Sequence, residues 1–168
     1  MTDLRIESQR PFWQRFVVRF AATRFGGWIV RNITTPLDIA LLRLSKGRIG
    51  FNRLAGTPAL LLNTIGARSG KPHSIPLQYI PRDEDYVLIA SATGIKRHPA
   101  WYYNLKKHPD ASILTDGHLI SVTAREAQGD ERATLWQRAV ECYSSYDDYQ
   151  RRASNRVIPV MVLTPKGT

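Results

Sequence analysis

From residue 49 onward the chain is a succession of short apolar runs separated by turn residues, and this texture restricts the fold more than any other feature. The runs read as strands over 49–54, 59–64, 74–80, 86–92, 111–115, 118–124 and 157–163. Asp116-Gly117 is a two-residue hairpin signal between two of them. Asp83-Glu84-Asp85 forms a polar loop between two others. Helices interrupt the series at 99–107, opened by Pro99, at 130–143 and, more briefly, at 147–152. Antiparallel strands with inserted helices predict a small barrel of the mainly β, α+β class rather than a doubly wound sheet. No GxGxxG follows a strand, so a Rossmann site has no support.

Upstream the texture is helical. PFWQRFVVRFAATRF gathers Phe12, Trp13, Phe16, Val17 and Phe20 into one apolar stripe, with Arg15 and Arg19 towards other faces. After a turn at Gly26-Gly27, TTPLDIALLRLSKG reads as a second helix. Thr35 is its expected cap, Pro36 its first position, Asp38 its first-turn acid and Gly47 its stop. The chain thus divides into basic amphipathic helices over 1–46 and a barrel domain over 47–168.

Charge follows the same division. The net charge is +10, with ten Lys/Arg against three Asp/Glu in residues 1–60 and fourteen against eleven in the remainder. A basic arm on a nearly balanced body suits a surface-docking segment and argues against a broad nucleic-acid face. The aromatic, basic stripe can lie on an anionic membrane surface; packing against the barrel or a partner subunit, as in a homodimer, is the open alternative.

Cys142 is the only cysteine, which excludes an intrachain disulfide and favours a reducing compartment. No uncharged run approaches the ~18 residues of a membrane span, and the opening MTDLRIESQRPFW lacks the pattern of a signal peptide. A cytoplasmic protein, at most peripheral to the membrane, is expected. His73, His98, His108 and His118 show no metal-ligand spacing, and no G-x-S-x-G is present.

Two loops have the composition of anion sites. In IGARSGKPH, Gly66 and Gly70 permit tight turning, Arg68 and Lys71 supply charge, and Ser69 a hydroxyl. In SATGIKRHP, Ser91, Thr93 and Gly94 lead to Lys96, Arg97 and the helix start at Pro99. Each also reads as a solvated turn bearing surface cations. Both leave the C-terminal ends of apolar strands, so together they favour a shared anionic ligand. Tyr143, Tyr146 and Tyr149, spaced by three in CYSSYDDYQ, read either as core residues or as phenols donating hydrogen bonds to an acceptor that gains charge.

The segments GRIGFNRLAGTPALLLNTIGARSGKPHSIPLQYI, YVLIASATG…RHPAWYYNL and CYSSYDDYQ…RVIPVMVL resemble the deazaflavin-dependent nitroreductase family, over about residues 47–165. The resemblance implies a split β-barrel like that of the flavin-binding pyridoxamine oxidases, and coenzyme F420, which carries a phosphate and a glutamate tail. It further implies hydride transfer from reduced deazaflavin to a quinone or nitro compound. Cofactor contacts are implied for Leu61, Leu62 and Asn63, and for the loop Ala67, Arg68, Ser69, Gly70, Lys71 and Pro72. They are also implied for Leu77, Gln78 and Tyr79 opposite and for the edge Ile89, Ala90 and Ser91, with Trp101 and Asn104 bracing this wall. Tyr146 is the first choice for hydrogen-bonding or protonating the acceptor, with Tyr143, Tyr149 and Ser91 as further candidates. The chain departs from the family where members often carry cations in place of Ala67 and Ala92, an arginine at His73 and a tyrosine at Gln78.

Two other readings fit the same residues. One is a split barrel retaining flavin mononucleotide as an oxidase or flavin carrier; the other is a non-enzymatic basic module that binds membranes.

Overall fold

The computed structural model describes residues 33–153 and 156–167. The expected helix over 11–25 and the turn at Gly26-Gly27 lie outside the described residues. Five α-helices and seven strands follow in the order α1 (Thr35–Leu44), α2 (Phe51–Leu54), β1 (Ala59–Ile65), β2 (Pro72–Gln78), β3 (Ile80–Arg82), β4 (Asp85–Ile89), α3 (Ala100–Lys107), β5 (Asp110–Thr115), β6 (His118–Glu126), α4 (Gly129–Cys142), α5 (Ser145–Ala153) and β7 (Val160–Pro165). None of the described helices is long and apolar enough to cross a membrane.

Pro36 sits in the first turn of α1, as its missing amide favours. Thr35 is the first helical residue instead of the cap; Thr34 precedes it and makes no side-chain cap bond. Asp38 is buried, and its Oδ1 accepts the Phe51 amide at 2.8 Å. That carboxylate starts α2 and corrects the strand expected over 49–54, which contains a single helical turn. Gly47 ends the preceding turn at φ +80°, where a Cβ would lie 2.6 Å from the Thr115 Cα. The chain therefore bends sharply against β5 and cannot run on as a strand.

All seven strands form one antiparallel sheet ordered β2-β1-β5-β6-β7-β4-β3. The Asp116-Gly117 hairpin pairs Thr115 with His118, and both turn residues have positive φ, as a tight primed turn requires. The run expected over 74–80 is two strands: 72–78 pairs with β1 and 80–82 with β4, and between them the Tyr79 amide continues the β1 register for one more bond, to the Pro58 carbonyl at 3.2 Å. The run expected over 86–92 stops at Ile89, and Ala92, Thr93 and Gly94 turn through positive φ values.

Side chains alternate across a strand, and the sheet is buried on both faces. Leu88, Ala90, Met161 and Leu163 join Leu60, Leu62, Ile113 and Val122 in an interior that α3 covers with Trp101 and Leu105. Val87, Ile89, Val160 and Val162 point the other way, beneath Leu135, Ala139, Cys142, Tyr143 and Tyr146 of the segment spanning α4 and α5. The result is the small, mainly β barrel with helices that the pattern of short runs predicts, of the split type that the resemblance implies. Beyond it, α1 buries Leu42 and reaches β2 through Arg43, whose Nη2 donates to the Ser74 Oγ at 2.8 Å.

Candidate active site

The β1–β2 loop closes on itself. Gly66 donates to the Lys71 carbonyl at 2.8 Å, and Gly70 donates back to the Gly66 carbonyl at 2.9 Å. A Cβ on Gly66 would lie 2.3 Å from the Ser69 Oγ and 2.9 Å from the His73 ring, so any larger residue here would displace those two side chains. Ser69 Oγ lies 3.2 Å from the His73 Nε2 and accepts the Lys71 amide at 3.3 Å.

Helix α3 holds this loop from the side. Asn104 is buried; its Oδ1 accepts the Ala67 amide at 2.9 Å, and its Nδ2 donates to the Thr64 Oγ1 at 3.0 Å. One turn on, Lys107 donates from Nζ to the Ala67 carbonyl at 2.7 Å. Both main-chain groups of Ala67 are therefore taken by α3, which fixes how the neighbouring Arg68 and Ser69 are presented.

Between loop and helix lies a cleft of about 1100 Å³. Its wall includes Ala67, Arg68, Ser69, His73, Trp101, Tyr103 and Asn104, together with Ile95, Arg97, His98, Lys106 and Lys107. Among the described residues no aspartate or glutamate lines it. Lys106 is engaged by Glu126 at 3.0 Å, whereas Arg68 and Arg97 are exposed and carry no ordinary partner among the described residues. Cations beside an aromatic wall suit a ligand with an acidic tail and a flat body.

The third wall is the strap between β4 and α3. Pro99 caps α3, as its place before the helix predicts. His98 packs against the Tyr102 and Tyr103 rings at centroid distances of 4.9 and 5.9 Å. Tyr102 donates to Glu126 at 3.0 Å, and burial together with that carboxylate pushes its pKa up to about 12.

Of the residues expected to hold the cofactor, Ala67, Arg68, Ser69, Trp101 and Asn104 meet in the cleft. Leu61 and Leu62 are buried in β1, and Asn63 bridges Ser74 and Ser112. Gly70, Lys71 and Pro72 form the exposed far end of the loop and the start of β2. Leu77 packs into the barrel interior, and Tyr79 packs on Tyr86 at 5.1 Å. The Gln78 Nε2 lies 3.3 Å from Asn52 and from Thr57, tying β2 to the α2 region. Ile89 and Ala90 are buried where β4 ends, and Ser91 begins the strap.

The tyrosines lie apart from the cleft wall. Tyr143 and Tyr146 are buried under the sheet with Tyr149 packed against them, and the Tyr146 ring contacts both others edge-on at 6.0 and 6.1 Å. Burial raises the Tyr146 pKa well above that of an ordinary phenol. The strap nonetheless touches their helix: a Cβ on Gly94 would stand 2.8 Å from the Tyr149 carbonyl oxygen. Tyr103 and Lys107 line the cleft, and Arg156 donates to the Ser91 and Ile95 carbonyls of the strap, without having been expected there. Lys107 is one turn beyond Asn104, but the reach of Arg156 back to the strap leaves no local pattern.

The described residues form an antiparallel barrel with a cationic, aromatic-walled cleft. Residues 36–165 match the F420H(2)-dependent quinone reductase family. A protein of Mycobacterium tuberculosis named F420H(2)-dependent quinone reductase is 38% identical over 143 residues, 82% of this chain and 95% of that protein. A solved F420-H2 dependent reductase is 38% identical with a TM-score of 0.58, covering 63% of this chain and 93% of that one. A structure described as a domain-swapped dimer has the same identity and TM-score and covers 63% of this chain and 79% of that chain. The chain belongs to the F420H(2)-dependent quinone reductase family, and is an oxidoreductase whose cofactor is coenzyme F420.

Proposed function

We propose that the cleft between the β1–β2 loop and α3 is where this reductase holds F420, and that a quinone is its acceptor. The observation that carries the reading is the double anchoring of Ala67 by Asn104 and Lys107, which sets Arg68 and Ser69 facing a cleft without acids. Arg68 and Ser69 take the acidic tail, Arg97 adds positive potential, and Trp101 and Tyr103 border the flat ring. Leu61, Leu62, Asn63, Gly70, Lys71, Pro72, Leu77, Gln78, Tyr79, Ile89, Ala90 and Ser91 support this wall or approach its edge.

When bound, reduced F420 supplies a hydride, so the protein is left to orient the reactants and set local polarity. Tyr146 is retained from the family resemblance as the proposed hydrogen-bond donor to the acceptor oxygen, although its ring is buried against Tyr143 and Tyr149, apart from the cleft wall. Its raised pKa keeps the hydroxyl protonated and suits it to donate a hydrogen bond rather than release a proton. Tyr143, Tyr149 and Ser91 shape the same side. A homodimer is part of this reading, supported by the relative solved as a domain-swapped dimer. Contact of residues 11–24 with a membrane surface, where a lipid-soluble quinone is at hand, rests on their sequence alone.

A tryptophan-fluorescence titration with F420 and, separately, flavin mononucleotide tests the assignment. Saturable binding selective for F420, weakened about tenfold or more in Arg68→Ala by loss of a charge-assisted contact, is the expected result. Tighter binding of flavin mononucleotide, or an unchanged affinity in Arg68→Ala, overturns it.

A further inference from the structure

The guanidinium of Arg156 lies under the strap that joins β4 to α3, and nearly all its donors point at that strap. Nη2 donates to the Ser91 carbonyl at 2.7 Å, Nε to the Ile95 carbonyl at 2.9 Å and Nη1 to the Ala90 carbonyl at 3.4 Å. Nη1 also lies 3.0 Å from the His98 Nδ1. A guanidinium has donors only, so the His98 Nδ1 must accept and its proton must sit on Nε2.

The strap needs such a hold. Ala92 and Thr93 have φ of +46° and +55° without being glycine, and Gly94 follows at +82°. Side chains in that region are strained and persist only where surroundings over-determine the backbone. Gly94 closes on α5, as its contact with the Tyr149 backbone requires. Arg156 secures the other side, and His98 at the far end of the strap belongs to the cleft wall.

We propose that Arg156 is a positioning residue of the reductase: it fixes the strap so that His98 faces the cofactor, and it does so only while His98 is neutral. The proposal rests on the reading of the cleft as the cofactor site. A protonated His98 has no lone pair on Nδ1 to offer and places a second cation against the guanidinium. The groups facing His98 are Arg156 from the segment after α5, Tyr102 and Tyr103 from α3, and Glu126 from β6, whose carboxylate is shared with Lys106. Lys96 and Arg97 adjoin it in sequence. Burial and the Arg156 charge, partly opposed by Glu126, hold the His98 pKa below the usual histidine value.

The test uses the full chain and three variants: Arg156→Lys, Arg156→Gln and His98→Asn. His98 titration is followed by imidazole NMR without cofactor, and F420 affinity is followed by tryptophan fluorescence between about pH 8 and about pH 5. In the wild type, affinity falls about tenfold more on acidification than in His98→Asn, whose side-chain oxygen accepts from Arg156 without titrating. The ligand's own titration is common to both and cancels. Arg156→Lys binds about tenfold more weakly at the alkaline end, since an ammonium cannot span four acceptors. In Arg156→Gln the His98 pKa rises.

Tighter binding on acidification, relative to His98→Asn, would mean that the histidine acts as an attractive charge, and overturns the proposal. So does unchanged affinity in both Arg156 variants. An unshifted His98 titration in Arg156→Gln, with normal F420 binding, overturns the coupling alone. No F420 binding by the wild type overturns the reading of the cleft, and with it the positioning role, even where NMR shows the Arg156–His98 contact.

Discussion

The Ala67 amide donates to the side-chain oxygen of Asn104 at 2.9 Å, across 37 residues of sequence. This bond joins the loop bearing Arg68 to the helix bearing Trp101. Replacing Asn104 by alanine leaves the Ala67 amide and the Thr64 hydroxyl without that partner, in a site where Asn104 is only 7% exposed. The expected loss is about 1–3 kcal/mol of stability, read from urea unfolding, together with weaker F420 binding. Asn104→Asp retains the acceptor and is expected to keep more of both.

Tyr146 separates packing from chemistry. Tyr146→Ala empties a core position between Trp136, Tyr143 and Tyr149 and is expected to cost about 3–5 kcal/mol. Tyr146→Phe preserves the ring. Its kcat for quinone reduction is expected to fall about tenfold, with F420 affinity unchanged. Equal kcat in Tyr146→Phe and wild type assigns the phenol to the core alone.

Gly94 is both left-handed in φ and closed against α5. Gly94→Ala is expected to destabilise by about 1–3 kcal/mol from backbone strain, with the contact to the Tyr149 carbonyl adding to it. Thermal unfolding measures the total, and limited proteolysis within 91–98 reports whether the strap has lifted.

Glu131 ties α4 to two strands, accepting from Arg82 at 2.6 Å and from Arg125 at 2.6 and 2.8 Å. The Arg125 and Arg82 hydrogen bonds, opposed in part by burial, lower its pKa from an ordinary 4.5 to about 2. A depressed folded-state pKa gives stability that is fully present above the unfolded value and lost as pH falls towards the folded one. The expected signature is that Glu131→Gln is less stable than wild type near neutrality, and that the difference shrinks between pH 4.5 and about 2. Urea midpoints across that range check it.

Local chemistry made much of this structure legible. The alternation of β6, the Asp116-Gly117 hairpin and the proline opening α3 each depend on residues within a few positions. The grouping of Arg68, Ser69 and Asn104 comes from the family resemblance rather than from local chemistry, and the three residues line one cleft. What stayed hidden depends on distant partners. The turn at 51–54 exists because Asp38 lies beneath it, and the run through Tyr79 divides because its first part pairs with β1 and its last with β4. The three-residue tyrosine spacing implied a helical side without saying what that side meets. Nor does an arginine before VIPV announce that its acceptors lie some 60 residues upstream.

The order of the sheet bears on how copies of this chain can meet. Its two outer strands are β2, with Pro72 and Pro76, and β3, three residues long with Pro81 at its centre. Proline lacks the amide that strand addition requires, and a three-residue strand offers little template. Among the described strands, growth by adding strands at either margin is thereby disfavoured, and the homodimer proposed above would join through helices, loops or exchanged segments.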